Sequence, residues 1–233
     1  MKILGIITAR GGSKGVPGKN IKLLGNMPLL AYTSNAAKKS NLLSKTIISS
    51  DDASILKIAH EFQIEVPFVR PSELATDTSS SIEVVQHAIE FLESQGEFYD
   101  AVCLLQPTTP FRSNGFLDVA IQKFINEDVD ALVSVLPVPH EFNPHWVFEP
   151  DNNGMLKIAT GEKEIIKRRQ ELPPAYFRDG SIYITKTSVI KSGSFYGTKL
   201  GFIENDPEFY VNIDTLKDWE LAEAKLNWIK DRL

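Results

Sequence analysis

Short runs of Ile, Val and Leu alternate with helix-patterned stretches along the first 136 residues, and this alternation limits the folds open to the chain more than any other feature. Ile3–Thr8 reads as a buried strand, and residues 25–28 lead into a helix through about Lys39, with Pro28 suited to its first turn. Residues 46–49 read as a second strand. Asp51 or Asp52 can cap a helix in which Ile55, Ile58, Ala59 and Phe62 recur at spacings of three and four. Residues 66–69 read as a short third strand. Ser80 and Glu83 form a capping box before the helical face of Ile82, Val85, Ile89 and Leu92. Ala101–Leu105 is apolar without alternation, as expected for a strand covered on both sides. Ser113 or Asn114 opens a helix carrying Phe116, Ala120 and Phe124, and residues 131–136 form another strand. The order predicts an α/β fold, a mostly parallel Rossmann-like sheet flanked by helices.

The pattern changes after Pro137. Pro139, Pro144 and Pro150 break any helix, and Asn152-Asn153-Gly154 signals a turn. Residues 137–194 therefore read as a small β-rich insert in a domain made of residues 1–136 and 195–233. At the end, residues 210–213 read as a strand. Thr215 with Asp218 caps a last helix bearing Leu216, Trp219, Ala222, Leu226 and Ile229.

Composition narrows the function classes. Lys and Arg total 25 against 30 Asp and Glu, a net charge of -5, which argues against nucleic acid as a partner. The single cysteine, Cys103, excludes a disulfide framework and a cysteine-rich zinc site, and reads as buried packing in a reducing compartment, the cytoplasm. No apolar stretch approaches the roughly 18 residues of a membrane span. The N-terminal apolar run is too short for a signal peptide, and Arg10 and Lys14 follow it at once.

The most informative segment is residues 10–20, RGGSKGVPGKN. Its four glycines let backbone N–H groups approach an anion, and Arg10, Lys14 and Lys19 sit in the same turn. The loop follows a strand, at the sheet edge where open α/β folds bind ligands, so a nucleoside triphosphate is the natural candidate. The segment is not a P-loop, because Ser13 and Asn20 occupy places that need Gly and Ser or Thr. It holds no G-x-G-x-x-G spacing. Residues 11–15 match G-x-S-x-G, but a nucleophile elbow needs an earlier strand for its oxyanion loop, and none precedes residue 3. A flexible loop of solvated lysines would leave the three clustered cations unexplained.

This loop resembles the N-terminal motif of the CMP-sialic acid synthetase family, the acylneuraminate cytidylyltransferases. The resemblance continues through Ser50-Asp51-Asp52, residues 70–75 (RPSELA), 77–81 (DTSSS), 104–112 (LLQPTTPFR), 168–173 (RRQELP), 180–184 (GSIYI) and 212–215 (NIDT), in the family's order over nearly the whole chain. It implies an enzyme that transfers CMP from CTP to the anomeric hydroxyl of a 2-keto sugar acid and releases pyrophosphate. It further implies that Arg10, Lys14 and Lys19, with Gly11 and Gly12, hold the triphosphate; that Asn20 and Arg70 read the cytosine edge; and that Ser81 contacts the nucleotide. Gln106 resembles a sugar-contacting glutamine, Arg169 and Arg178 resemble arginines supplied across a homodimer interface formed by the insert, Tyr183 lies in a pocket motif, and Phe195 with Tyr196 corresponds to an aromatic acyl pocket. Asp214, with Asn212, matches the position of the Mg²⁺ ligands, Asp214 alone otherwise reading as a helix cap beside Thr215.

The chain departs from the family at three places. Asn212 stands where many members carry Asp, so the metal site has one anion fewer. Residues 140–146 lack a lysine found in several sialate enzymes, and Arg178-Asp179-Gly180 replaces a longer pattern. These departures leave the nucleotide reading intact and keep legionaminic, pseudaminic, related nonulosonic and octulosonic acids open. Two other readings stand beside it: a nucleotidyltransferase of the same fold acting on a sugar phosphate or phosphonate, and a CTP-binding regulator inactivated at position 212. The histidines His60, His87, His140 and His145 have no metal-ligand spacing.

Overall fold

The computed structural model describes residues 1–233. Its strands are β1 (Ile3–Thr8), β2 (Leu23–Leu24), β3 (Met27–Pro28), β4 (Lys45–Ser49), β5 (Ala101–Leu105), β6 (Ala131–Pro137), β7 (Phe148–Pro150), β8 (Leu156–Ile158), β9 (Tyr176–Lys186) and β10 (Leu200–Glu204). The helices are α1 (Leu29–Lys39), α2 (Ala53–Glu61), α3 (Ser81–Ser94), α4 (Phe116–Glu127), α5 (Thr187–Lys191) and α6 (Leu216–Ile229). The chain forms two compact units, Met1–Ser134 with Asp179–Leu233, and Val135–Arg178.

The larger unit is built on a six-stranded sheet of order β10-β6-β9-β5-β1-β4. It is the expected α/β architecture with a mostly parallel sheet: β1 pairs parallel with both β4 and β5, and β9 is antiparallel to β5. Every residue of β5 is buried. Ala101, Cys103 and Leu105 share one face of it by their spacing of two, and they join Ile3, Ile7, Leu117, Ala120, Ile121 and Phe124 in one core cluster. Burial also pushes the Cys103 thiol up to about 12, so it is a packing residue and not a nucleophile. A second cluster, around Val16, Leu29, Phe111, Ile213 and Trp219, ties α6 to the loop after β1.

The local capping signals are made as read. Asp52 accepts from the N–H groups of Ser54 and Ile55 at 2.8 and 3.1 Å, and the capping boxes of Ser80 with Glu83 and Thr215 with Asp218 are both closed. Four expectations are corrected. Residues 66–69 are not a strand: Pro67 removes a donor, leaving an isolated bridge from Ile47 to Glu65. Residues 210–213 are not a strand; Ile213 N–H donates to the Thr108 carbonyl at 2.8 Å without a paired ladder. α4 opens at Phe116, after Gly115 in the left-handed region (φ 80°), rather than on a side-chain cap from Ser113 or Asn114. Finally, residues 179–194 fold with the larger unit because β9 pairs with β5, so the second unit stops at Arg178.

The second unit is irregular. One antiparallel pair, β7 with β8, is accompanied by one-turn helices, and Asn143 and Trp146 anchor it by donating to the carbonyls of Pro173 (3.0 Å) and Ile166 (2.7 Å).

Candidate active site

The loop after β1 is shaped by three constraints. Val16 is buried in the second core cluster and anchors the loop's middle. Asn20, also buried, donates its side-chain amide to the Arg10 carbonyl at 3.0 Å and closes the loop across its base. Gly15 lies so close to the Asp214 backbone that a Cβ there would stand 1.9 Å from the Asp214 carbonyl oxygen. The loop is therefore pressed against the segment before α6, two stretches about 200 residues apart in sequence brought together by the parallel sheet.

This contact creates a cavity of about 330 Å³ at the carboxyl ends of β1 and β5, lined among others by Arg10, Lys14, Lys19, Asn20, Gln106 and Asp214. A neighbouring cavity of about 260 Å³ shares Thr8 and Arg10 with it and adds Arg70, Asp77 and Ser81. Lys19 is well covered, its side chain 12% exposed. Its Nζ donates to the Ile213 carbonyl at 2.7 Å and lies 3.3 Å from Asp214 Oδ1. Asn212 donates its side-chain amide to Asp214 Oδ2 at 2.7 Å. Arg70 is buried, with Nε on Ser49 Oγ at 3.0 Å and Nη2 on the Ser49 carbonyl. Burial lowers its pKa to about 10, countered in part by Asp51, so it is still a cation at neutral pH.

Asp77 opens the 77–81 segment of the resemblance, but the sequence assigned it no role. Its carboxylate pairs with both Arg10 (2.8 Å) and Lys14, and the Lys14 hydrogen bond and the Arg10 charge hold it below the usual aspartate range. Arg10 also donates to the Thr76 carbonyl at 2.6 Å. An Asp in a polar stretch 67 residues from its partner carries no local signal.

The cavities thus gather Arg10, Lys14, Lys19, Asn20, Arg70, Ser81, Gln106 and Asp214. Gly11 is not among their lining residues; its N–H donates to Asp51 Oδ1 at 3.2 Å. Gly12 stands in open space. Tyr183 and Phe195 are not brought there. Tyr183 pairs with Leu104 inside the sheet and is 8% exposed, its ring 6.3 Å from that of Phe195. β9 runs antiparallel, so Thr185, which donates to the Phe195 carbonyl at 2.7 Å, lies opposite Val102 near the start of β5, whereas Gln106 follows its end. The Phe195 backbone is therefore held toward the opposite end of β5 from Gln106. Arg169 and Arg178 are exposed residues of the second unit.

No group of three or more His, Cys, Asp or Glu side chains is arranged to hold a metal. Beside Lys19 lie the Asp214 carboxylate and the Ile213 carbonyl; Asn212 contacts Asp214 through its amide nitrogen, and the Asp218 carboxylate, engaged by the Asp214 and Thr215 backbone, is close enough to feel the Lys19 charge.

A family model described as cytidylyltransferase matches residues 4–223. The chain belongs to that family. It is an enzyme of the nucleotidyltransferase class. Its sequence is 37% identical over 238 residues, covering 100% of both chains, to CMP-N,N'-diacetyllegionaminic acid synthase of Legionella pneumophila. It is 34% identical over 236 residues, 96% of this chain and 95% of the relative, to pseudaminic acid cytidylyltransferase of Campylobacter jejuni. Among solved structures, CMP:2-keto-3-deoxy-manno-octonic acid synthetase complexed with CTP superposes with a TM-score of 0.73 over 98% of this chain and 99% of that one, and at 14% identity it shares the fold.

Proposed function

We propose that this cytidylyltransferase moves CMP from CTP to the anomeric hydroxyl of a nonulosonic acid and releases pyrophosphate. The observation that carries the reading is the meeting of Arg10, Lys14 and Lys19 with Asp214 and Gln106 in one cavity. The relatives named for legionaminic and pseudaminic acids support the acceptor class.

In this reading the triphosphate displaces Asp77 from Arg10 and Lys14, so the cations exchange a protein carboxylate for phosphate oxygens. Lys19, aimed by the Ile213 carbonyl, stabilises charge on the departing pyrophosphate. Arg70, committed to Ser49 on two sides, presents its remaining Nη1 edge to cytosine O2 and N3, which selects cytosine over uracil. Ser81 contacts the nucleotide from the start of α3, and Gln106 orients the acceptor from the end of β5. Holding both anions in line converts the encounter into an intramolecular reaction.

A single exposed carboxylate with a neighbouring amide oxygen fits Mg²⁺, which binds through one or two protein oxygens together with substrate phosphates. Asp214 and Asn212 would hold it, and bound Mg²⁺ would neutralise charge on the leaving group. We also propose a homodimer formed by the second unit, whose Phe142, Phe148, Met155, Leu156 and Ile165 side chains are exposed, with Arg169 and Arg178 serving the partner's acceptor site. No helix is long and apolar enough to cross a membrane; the cytoplasm, where CTP is made, is the proposed location.

The test is pyrophosphate release with Mg²⁺ across CTP, UTP, ATP and GTP and a panel of eight- and nine-carbon keto sugar acids. Release confined to CTP and a nonulosonic acid is expected. Release only with a sugar phosphate or phosphonate moves the acceptor class. CTP binding without release from any pair identifies a regulator, and an elution volume of a monomer refutes the dimer.

A further inference from the structure

Arg112 lies outside the chemistry described so far, yet its guanidinium is buried. Nε and Nη2 donate to the Ser181 carbonyl at 3.0 and 2.8 Å, Nη2 to the Gln106 carbonyl at 3.1 Å, and Nη1 to Thr33 Oγ1 at 3.1 Å. No carboxylate pairs with it directly. Asp179, also buried, accepts instead from the Ser181 N–H at 3.0 Å, from Asn205 Nδ2 at 2.6 Å and from Ser134 Oγ. The two charges are thus joined through the backbone of one residue, Ser181.

Burying a guanidinium without an adjacent carboxylate is costly, and an apolar side chain of similar volume would fill the core at lower cost. What an apolar side chain lacks is a rigid fork that grips two carbonyls at once. The carbonyls gripped belong to β9, at Ser181, and to the turn after β5, at Gln106. That turn reaches the cavity. Thr108 accepts from the Ile213 N–H at 2.8 Å, Ile213 in turn accepts from Lys19 Nζ at 2.7 Å, and Asp214 is the next residue. Thr109 Oγ1 donates to the Gly180 carbonyl at 2.8 Å and fixes the turn to β9 a second time.

We propose that Arg112, backed by Asp179 through the Ser181 backbone, is a positioning residue that fixes the turn after β5 and, through it, the Ile213–Asp214 segment against which Lys19 is aimed. Its effect on turnover rests on the cytidylyltransferase reading above; its effect on the Ile213 segment does not.

Arg112→Lys keeps the charge and removes the fork. Turnover is expected to fall about tenfold or more, the scale of a lost charge-assisted hydrogen bond. Amide hydrogen exchange at Ile213 is expected to quicken by a similar factor, while β1 amides keep their protection. CMP affinity should stay at the wild-type value, because Arg70 and Ser81 line the other cavity. Unchanged exchange at Ile213 overturns the proposal. So does loss of CMP binding together with faster exchange throughout β1, which marks a general structural role. Should Arg112→Lys fail to fold, Asp179→Asn reads the network from its other end. It should quicken Ile213 exchange in the same way, and adding Asn205→Asp, which returns a carboxylate to the cluster, should reverse it; an unchanged Ile213 amide in Asp179→Asn overturns the proposal. If the wild-type protein releases no pyrophosphate from any pair, the functional reading fails, and Ile213 exchange still decides this one.

Discussion

Gly15→Ala puts the packing of the loop to a severe test. A methyl at Gly15 would sit 1.9 Å from the Asp214 carbonyl oxygen, where real Cβ atoms essentially never come within 3.0 Å. The nearest obstacle is backbone, so no rotamer relieves it. Either the loop or the Asp214 segment must retreat by about 1 Å, a displacement that can cost a hundredfold when it separates reacting groups. Retreat of the loop carries Lys14 outward, since Val16 on the other side is fixed in the core. Retreat of Asp214 opens its 3.3 Å approach to Lys19. Both routes separate the cations from the carboxylate, so kcat/KM should fall by about 100-fold, equivalent to ~2.7 kcal/mol. Gly15 itself is exposed and buries no side chain, so the melting temperature should drop by only about 2–4 °C per kcal/mol lost, as in a chain of this size. Pyrophosphate release under subsaturating CTP, with near-UV circular dichroism as the check on folding, measures both. A folded Gly15→Ala protein with kcat/KM within threefold of wild type would refute the close approach of loop and Asp214.

Lys19→Ala should lower turnover about a hundredfold, the scale of one lost electrostatic stabiliser; a wild-type rate removes Lys19 from the mechanism. Asp214→Asn should abolish the response to added Mg²⁺, whereas Asn212→Asp, which restores a second anion, should lower the Mg²⁺ concentration needed for half-maximal rate; a titration of both variants decides. Asp130 accepts hydrogen bonds from the Lys199 and Thr198 backbone, which with the Thr198 hydroxyl depress its pKa from 3.8 to about 2. A depressed carboxylate stabilises above its unfolded pKa and loses that contribution as pH falls through the folded value. Asp130→Asn should therefore melt below wild type at pH 7, with the gap closing from about pH 4 towards pH 2; a pH-independent gap contradicts the linkage.

Much of this fold is written in local signals. Ser80 with Glu83, Asp52 and Thr215 with Asp218 announce helix starts within a few residues, and β1, β5 and β6 are largely apolar runs. What escaped the sequence depends on partners far along the chain. β10 alternates exposed and buried residues at the sheet edge and carries Gly201 and Glu204, so it lacks the apolar run that marked the central strands. The resemblance assigned Phe195 to an acyl pocket, but antiparallel β9 runs back toward the start of β5 before the chain reaches Phe195. Asp77 and Arg112 illustrate the same limit for the site: one answers the loop cations across 67 residues, the other grips a carbonyl 69 residues away, and neither spacing is visible before the chain folds.

The chain leaves the sheet where β6 ends at Pro137 and returns where β9 begins at Tyr176, and within the larger unit Ser134 of β6 and Asp179 of β9 touch through a hydrogen bond. The excursion is therefore pinched shut at its base, inside the sheet, by residues that belong to the larger unit. Lengthening a closed loop adds only about 0.6 kcal/mol for each doubling. Evolution can thus enlarge, shorten or replace residues 138–175 as a cassette while β6, β9 and the cavity at the end of β5 keep their register. A chain built on this plan can diversify that cassette without renegotiating how it grips a nucleotide, and a grafting experiment would have a natural pair of splice points at Pro137 and Tyr176, the strand ends.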